Sequence, residues 1–459
     1  MQGIEGYEHI TIKLHPCKDY ATDFALAQAS GEQIDLVSTP GLSENTEIKN
    51  GSFLALDDLL AANPEVTADL PDWFVELGNI FGATYYVPNY QQCANQFFLY
   101  MNKEYFEQSG YTYDEAQTIL LEKDFDKVAK FYEDVNTAVR EYTGKDTVYI
   151  RDDKISNPRF WINNATNMYG LDWWCFFYWD VEKEEIAFTE YNENIKKGYL
   201  KQAEWYLNGM SYENSFTDSA VFDNGFLGET TQVWNLLQSS GTPEMVAATR
   251  NTEANLAIDG EVIVFDVDNY AFINASNAAG GTAVSATCEN PEEAVKVMAL
   301  LFNSKYAEFY NTLVYGLEGI HYNVVSDGVV ETTEFAGTQG GADTTYCFHK
   351  WRGGNTFNAW LNQSMTQEQE DFILNEINES ETTVKTPLRG FVLDAKPVEN
   401  EITQLKAVVA EYHEPLRHGI MGEETESYYN EFIEKMETAG LSKVLEEFNR
   451  QADEFLASK

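Results

Sequence analysis

Residues 315–322 read YGLEGIHY, and three further segments follow in order: WRGGN at 351–355, TPLRGF at 386–391 and LEEFNRQADEF at 445–455. Glycines in the first two segments free the backbone for turns beside aromatic side chains. The last segment is typical of a closing helix. Each segment alone occurs in many folds, so the informative feature is the order of all four.

Taken together and in this order, the four segments resemble the extracellular solute-binding proteins of bacterial ABC importers (family 1 type). The closest likeness is to carbohydrate-binding lipoproteins with an extra C-terminal domain, of the aldouronate- and oligosaccharide-binding kind. The resemblance implies two α/β lobes of the type II periplasmic-binding-protein (Venus flytrap) fold, with a hinge and a C-terminal helical elaboration. It also implies no catalytic residue and no cofactor, so we expect a binding protein and not an enzyme.

The chain is expected to pass between the lobes several times, which would make both lobes discontinuous. Its 459 residues are enough for two or three domains. The resemblance implies a first lobe of residues 1–93 and 262–315 and a second lobe of residues 94–261 and 316–385. Residues 386–459 would form the C-terminal elaboration and pack on the second lobe.

The charge balance excludes some classes of partner. Thirty basic and 75 acidic residues give a net charge of -45, which repels nucleic acid and anionic lipid. Six histidines without an HExxH motif, and five cysteines without a CxxC pair, predict no zinc site. Calcium held by scattered carboxylates would leave no such motif. No run of about 18 apolar residues is present, so no membrane-spanning helix is expected.

The resemblance also implies a location and partners. The export signal and the lipid-anchoring cysteine would lie upstream of residue 1, and the protein would be a cell-surface lipoprotein. Its partners would be an oligosaccharide and the membrane subunits of an ABC permease. The protein itself is expected to be a monomer.

Local patterns near the N-terminus predict one ligand-facing loop. Residues 9–14 alternate apolar and polar side chains, as a half-buried strand does. A helix over 20–29 and a short apolar strand over 34–37 would complete a βαβ unit. Ligands of open α/β sheets bind beyond the carboxyl ends of the strands, which places Ser38 and Thr39 at a binding loop. An ordinary turn with capping hydroxyls is the alternative.

Aromatic residues make up 14% of the chain. Most must be core, but a sugar ring also packs its C–H face on an aromatic plane while its hydroxyls reach polar partners. The candidates in the first lobe are Trp73, Tyr86 and Tyr90. Those in the second lobe are Trp161, Trp173, Trp234 and Asn235. Adjacent Trp173 and Trp174 would face opposite sides of a strand, so at most one of them can face a cleft.

Two glycine-rich segments supply the remaining candidates. Glu318 stands between Gly316 and Gly319 near the expected hinge, where it could accept hydrogen bonds from sugar hydroxyls or anchor the hinge. The WRGGN segment offers Trp351 as a stacking plane and Asn355 as a donor and acceptor. Packing between the lobes is the alternative role for Trp351.

These observations favour a neutral oligosaccharide as the solute. An acidic oligosaccharide or a peptide is an alternative on the same fold, and Arg159, Arg352 and Arg389 would then be candidate contacts. A secreted glycan-degrading enzyme is the second alternative, because paired carboxylates are abundant among 75 acids. No GxSxG, P-loop or dinucleotide-binding motif supports an enzyme.

Overall fold

A computed structural model describes the chain over most of its length. The described residues are 3–15, 17–42, 44–92, 94–146, 148–150, 155–162, 165–172, 174–217, 234–239, 241–252, 261–267, 272–273, 280–335, 348, 350–362, 365–378, 384–385, 387–388, 391 and 393–457.

The described helices and strands alternate along much of the chain. The helices are Tyr20–Ser30 (α1), Glu44–Asn50 (α2), Asp57–Ala62 (α3), Asp72–Val75 (α4), Lys103–Gln108 (α5), Tyr113–Glu122 (α6), Phe125–Thr143 (α7), Pro158–Trp161 (α8), Glu193–Leu207 (α9), Pro243–Thr252 (α10), Pro291–Phe302 (α11), Ala307–Tyr315 (α12), Gln367–Phe372 (α13), Glu399–His418 (α14), Thr425–Thr438 (α15) and Leu441–Ala457 (α16). The strands are Leu36–Ser38 (β1), Asn79–Ile80 (β2), Ala83–Thr84 (β3), Tyr86–Pro88 (β4), Ala94–Asn102 (β5), Ala165–Gly170 (β6), Phe176–Asp180 (β7), Glu185–Phe188 (β8), Trp234–Ser239 (β9), Val262–Asp266 (β10), Phe272–Ile273 (β11), Gly281–Val284 (β12), Tyr322–Ser326 (β13), Val329–Thr332 (β14) and Val384–Lys385 (β15).

The chain divides into two compact units, and each unit is discontinuous. The first unit comprises Met1–Cys93 and Ser276–Asn362, and the second comprises Ala94–Ala275 and Gln363–Lys459. The opening segment of the first unit ends at Cys93. The later boundaries differ from the predicted ones, because residues up to 275 lie in the second unit and residues 316–362 lie in the first.

The first unit is built on a three-stranded sheet in the order β1-β12-β4. Strand β12 runs antiparallel to both neighbours, pairing Ala283 with Val37 and Thr282 with Val87. Strands β1 and β4 are therefore parallel to each other. Helix α11 contacts β12 and begins at Pro291 with two glutamates in its first turn, the start that the residue pattern predicts.

A separate apolar cluster explains why residues 316–362 belong to the first unit. Tyr322 and Val330 of the β13–β14 hairpin pack with Tyr310 and Val314 of α12. The backbone of Leu361 continues this pairing, since its N–H donates to the carbonyl of Gly328 (2.9 Å). If residues 316–362 belonged to the second unit, this apolar cluster would be divided and its side chains would be exposed to water.

The main sheet of the second unit explains the other change of boundary. Strand β10 was predicted to belong with residues 262–315 in the first lobe. It pairs antiparallel with β5, for example Val264 with Tyr100, and β9 also pairs antiparallel with β5. Phe98, Tyr100 and Val264 are buried together, so β10 completes the core of the second unit.

The C-terminal helices share one core with the rest of the second unit. Leu405 of α14, Phe432 of α15 and Phe448 of α16 are fully buried in a cluster that also contains residues of α7 and β7. Helix α16 buries Leu441, Val444, Phe448 and Ala452 at helical spacing. Within the described part of the chain, no helix combines the length and apolar character needed to cross a bilayer.

The N-terminal prediction holds in part. The helix over 20–29 is confirmed as α1, which Asp19 caps by accepting from the backbone N–H of Thr22. The strand predicted over 9–14 is wrong, because this stretch has no strand partner among the described residues and residues 11–15 are exposed. Alternation alone cannot hold an extended segment without a sheet to pair with, so the predicted βαβ unit does not form here.

Candidate functional site

One edge of the first unit's sheet gathers several loops. The carboxyl ends of β1 and β4 flank the amino end of β12, as the pairings of Ser38 with Thr282 and of Pro88 with Gly281 show. Carboxyl ends of strands are where open α/β sheets bind ligands. We call the loops at residues 38–41, 88–90, 280–281 and 350–356 the first-unit edge.

Backbone hydrogen bonds fasten the WRGGN segment to this edge. The N–H of Gly354 donates to Oδ1 of Asn89 (3.1 Å), and the N–H of Tyr90 donates to the carbonyl of Gly354 (3.0 Å). The N–H of Asn355 donates to the carbonyl of Leu301 (3.0 Å). Gly354 has a φ of 91°, a backbone conformation that favours glycine.

Ser38 joins this segment to the end of β1. Its hydroxyl donates to the carbonyl of Arg352 (2.7 Å), and the phenol of Tyr20 donates to the carbonyl of Ser38. Burial, then the neighbouring Cys17 thiol, raises the pKa of Tyr20 to about 12, against the opposing charge of Arg352. The arrangement places Arg352, a phenol and a hydroxyl together at the first-unit edge.

Thr39 has a structural role at the same turn. Its side chain is fully buried, and its hydroxyl donates to Oε1 of Glu44 (2.9 Å) while accepting from the N–H of Gly281 (2.7 Å). Both functions of the hydroxyl serve the fold. Thr39 therefore fits the alternative given for it above, an ordinary turn with a capping hydroxyl.

Three more candidates of the first unit are packed into its interior. Tyr90 is 5% exposed, with its ring 4.8 Å from that of Phe74 and 5.2 Å from that of Phe357. Tyr86 is buried, and its phenol donates to the carbonyl of Leu77 (3.3 Å).

Asn355 is the third of them. It is 4% exposed, and its Oδ1 accepts from the N–H of Phe357 (3.0 Å). The acceptor oxygen that was predicted to reach a solute is therefore used inside the unit.

Trp73 and Glu318 lie nearer to solvent. Trp73 is half-buried, with its ring 5.6 Å from that of Phe74 in an edge-to-face arrangement. Glu318 is exposed in the turn between α12 and β13, inside the first unit. Gly316 and Gly319 there have φ values of 84° and 76°. The turn is formed as the glycines predict, but it is not at a passage between the units, so the predicted hinge position is wrong.

The described candidates of the second unit lie in two segments. Trp161 is 7% exposed, its Nε1 donates to the carbonyl of Ile155 (2.6 Å), and its ring stacks on that of Phe125 at 5.3 Å. Trp234 and Asn235 lie in β9, opposite Met101 and Tyr100 of β5. Trp173 falls outside the described residues, as do Arg389 and the side chain of Trp351.

The second unit has an edge of the same kind, which the sequence did not reveal. The carboxyl ends of β9 and β10 flank the amino end of β5, with Ser239 opposite Gln96 and Asp266 opposite Phe98. Burial, and then the charge of Glu244, raises the pKa of Asp266 to about 6. We call this the second-unit edge.

Three residues with polar side chains at these two edges were not predicted from the sequence. They are Asn89, Tyr20 and Asp266. Asn89 follows Pro88, which ends β4, and an Asn after a strand-ending Pro is a usable turn signal. Tyr20 and Asp266 carry no local signal, because their partners lie far along the chain. Hydroxyl, guanidinium and carboxylate groups of this kind hydrogen-bond polyhydroxylated solutes. Asn89 instead supports the edge from within, since it is fully buried and its Oδ1 accepts from Gly354. Among the described residues, no group of three His, Cys, Asp or Glu could hold a metal ion.

Comparison with known sequences gives two matches. Residues 387–457 match the family described as Domain of unknown function (DUF3502). A carbohydrate ABC transporter substrate-binding protein of Streptococcus pneumoniae is 23% identical over 200 residues, which cover 43% of this chain. The aligned part spans 38% of the length of that relative.

Comparison with solved structures extends over nearly the whole chain. The N-glycan transport solute binding protein NgtS of Streptococcus pneumoniae has a TM-score of 0.70 at 17% identity, covering 97% of this chain and 92% of that one. An HMO binding ABC-transporter associated solute binding protein of Bifidobacterium longum infantis has a TM-score of 0.60 at 16% identity, covering 95% of this chain and 90% of that one. These likenesses confirm the fold class predicted from the sequence.

Proposed function

We propose that this chain captures an oligosaccharide and delivers it to a membrane permease. The chain has the fold of the two-lobed solute-binding proteins of ABC importers. The likeness to NgtS over 97% of this chain carries the proposal. NgtS structures are described in complex with Man5GlcNAc and Man1GlcNAc. The relative from Streptococcus pneumoniae is likewise named for carbohydrate transport.

A neutral solute agrees best with the charges of this chain. The net charge of -45 makes the surrounding field repel anions. At the second-unit edge, burial and then the charge of Glu244 raise the pKa of Asp266, so Glu244 places negative charge beside Asp266. An anionic sugar brought there would meet the same repulsion.

Arg352 is the observation that favours an acidic solute as the second candidate. Its side chain is exposed at the first-unit edge, and guanidinium groups bind carboxylates in a fixed fork geometry. Replacing Arg352 with glutamine would leave the affinity for a neutral oligosaccharide within about threefold, but would weaken an acidic one by about tenfold or more. Titration calorimetry at low and high salt measures both, because only the ion-paired complex weakens with salt.

Trp351 is proposed as the stacking plane for the solute, because its neighbours hold the WRGGN segment at the first-unit edge. Trp351→Ala is then expected to weaken oligosaccharide binding by about 1–3 kcal/mol. The matched control is Trp360→Ala, since Trp360 packs against the apolar cluster of the β13–β14 hairpin. The control should lower the melting temperature and leave the affinity unchanged. A Trp351 variant that behaves like the control would assign Trp351 to packing.

The experiment that tests the function is a thermal-shift screen of the purified protein against neutral oligosaccharides, uronate-containing oligosaccharides and peptides. Bound ligand raises the melting temperature by mass action. Chromatography of the sugars afterwards distinguishes the three readings. Intact neutral sugar with a raised melting temperature supports the proposal, a shift with acidic sugar or peptide alone supports the second candidate, and cleaved sugar would mean an enzyme.

An extracellular position, a lipid anchor upstream, a monomeric state and a permease partner complete the proposal. The extracellular position and the permease partner follow from the proposed role in import, since a binding protein must meet its solute outside the membrane. The lipid anchor and the monomeric state rest on the resemblance alone. Light scattering of the purified chain with and without the solute would measure the monomeric state directly.

A further inference from the structure

Four polar side chains from separate elements meet inside the second unit. His413 of α14 is 1% exposed, and its Nδ1 is hydrogen-bonded to Oδ2 of Asp172, which follows β6. Its Nε2 lies 3.1 Å from the phenol oxygen of Tyr199 in α9 and 3.7 Å from Oε1 of Glu190. Tyr199 in turn donates to Oε1 of Glu190 (3.0 Å). We call these four residues the His413 network.

The His413 network ties the C-terminal helices to the rest of the second unit. His413 belongs to the segment 387–457 that matches DUF3502, whereas Asp172, Glu190 and Tyr199 precede that segment. From α15, the phenol of Tyr429 donates to the backbone carbonyl of Glu190. The network therefore joins the two parts of the second unit by polar bonds, in addition to the apolar core that they share.

Charge in this network is costly unless it is balanced. Glu190 is fully buried, and its Oε2 has no hydrogen-bond partner among the described residues. A buried carboxylate with an unsatisfied oxygen strongly disfavours ionisation. Asp172 is 31% exposed and accepts from the N–H of Trp174 (2.8 Å), so it can remain charged. The titratable or charged groups that face the network are Asp172, Cys175, Glu190, Tyr199, Arg417 and Tyr429.

The pKa directions agree with this balance. Burial lowers the pKa of His413, but the hydrogen bond and charge of Asp172, and then the charge that Glu190 carries once it is ionised, outweigh burial and leave it raised. Burial raises the pKa of Glu190 to about 7, against His413 and Tyr199. Burial raises the pKa of Asp172, but the hydrogen bond and charge of His413 reverse this and lower it. The favoured state is a protonated His413 beside a charged Asp172 and a neutral Glu190.

We propose that the His413 network is a proton-dependent latch, which holds the C-terminal helices α14–α16 on the second unit in mild acid and loosens them above neutral pH. The inference does not rest on the proposed transport role, because it concerns docking within one unit.

The direction of the pH dependence follows from the linkage between proton binding and folding. His413 and Glu190 have raised pKa values in the folded state, so their stabilisation is complete below the unfolded values of 6.5 and 4.5. It is lost as pH rises through the folded values. Asp172 has a lowered pKa, so its stabilisation is present above 3.8 and is lost below it. The latch is therefore tightest in mild acid and weakens as pH rises through about 7.

Hydrogen exchange of the full chain tests the latch. Protection factors, corrected for the intrinsic exchange rate, would be compared at about pH 6 and about pH 8.5 for peptides of α14–α16, with peptides of α11 in the first unit as the internal reference. We expect protection of α14–α16 to fall by about tenfold more than that of the reference, the effect of one pKa unit in a linked group.

Glu190→Gln is the decisive variant, because it keeps the shape of the side chain and removes its titration. Glu190→Gln should therefore abolish most of the loss of protection that the unmodified chain shows between the two pH values. The controls are Glu434→Gln, an exposed position of α15, and His15→Gln, an exposed histidine of the first unit. Both should keep the original pH profile. His413→Gln removes the imidazole of the network. If that variant fails to fold, the pH profiles of the unmodified chain and of Glu190→Gln still test the proposal. Equal protection at both pH values, or a Glu190→Gln profile identical to the original one, would overturn the proposal.

Discussion

Replacing Gly354 with alanine is expected to destabilise the first unit by about 4 kcal/mol, because two costs act at one position. The φ of 91° disfavours any residue with a Cβ. A Cβ there would also stand 2.5 Å from the carbonyl oxygen of Leu301 and 2.7 Å from the ring of Tyr310. The backbone bonds of the WRGGN segment prevent the chain from moving away. Urea-dependent hydrogen exchange of first-unit peptides measures the loss.

Gly353 provides the matched control, one residue away. A Cβ at Gly353 would meet its nearest neighbour, the ring of Phe348, at an ordinary 3.5 Å. Gly353→Ala is expected to change the stability by less than about 1 kcal/mol. Similar losses for the two variants would show that the segment is not held as described.

Replacing Gly198 with alanine is expected to destabilise the second unit by about 3 kcal/mol, the upper range for overpacking. Gly198 lies inside α9, where alanine would ordinarily stabilise a helix by about 1 kcal/mol. Here a Cβ would stand 2.5 Å from the carbonyl oxygen of Ile155 and 2.7 Å from Cα of Ser156. Backbone atoms cannot rotate aside as a side chain can. Urea unfolding followed by circular dichroism gives the change in free energy.

Gly144, which follows the last residue of α7, serves as a control for backbone strain in the absence of steric contact. Its φ is 66°, but a Cβ there would meet nothing within 4 Å. Gly144→Ala is expected to cost about 1 kcal/mol, from the left-handed backbone alone. A Gly198 variant as stable as the original protein, or more so, would contradict the close approach of α9 to residues 155–156.

Local signals in the sequence predicted the helix over 20–29, which forms as α1. Asp19 caps the start of this helix, and Gly31 follows its last residue. These features depend on residues within one or two turns of each other. The strand predicted over 9–14 failed because a strand needs a partner, and no local pattern supplies one.

The site was harder to predict than the fold. Tyr86, Tyr90 and Trp161 have the composition of a sugar-binding surface, yet their rings and polar atoms are used inside the units. Whether an aromatic side chain is core or surface depends on which distant segment packs against it. Tyr90 lies against Phe357, which is far along the chain. The resemblance supplied the fold, and residue types alone could not separate edge from interior.

The central position of β12 in its sheet has a consequence for how the protein is made. The hydrogen bond between Thr39 and Gly281 joins residues 242 apart in the chain. Strands β1 and β4 leave the ribosome long before β12, so their facing edges have no partner while residues 89–280 are made. Closing so long a loop is slow relative to forming a hairpin. The nascent chain therefore carries two unpaired strands that a chaperone must shield or that must stay unfolded until β12 arrives.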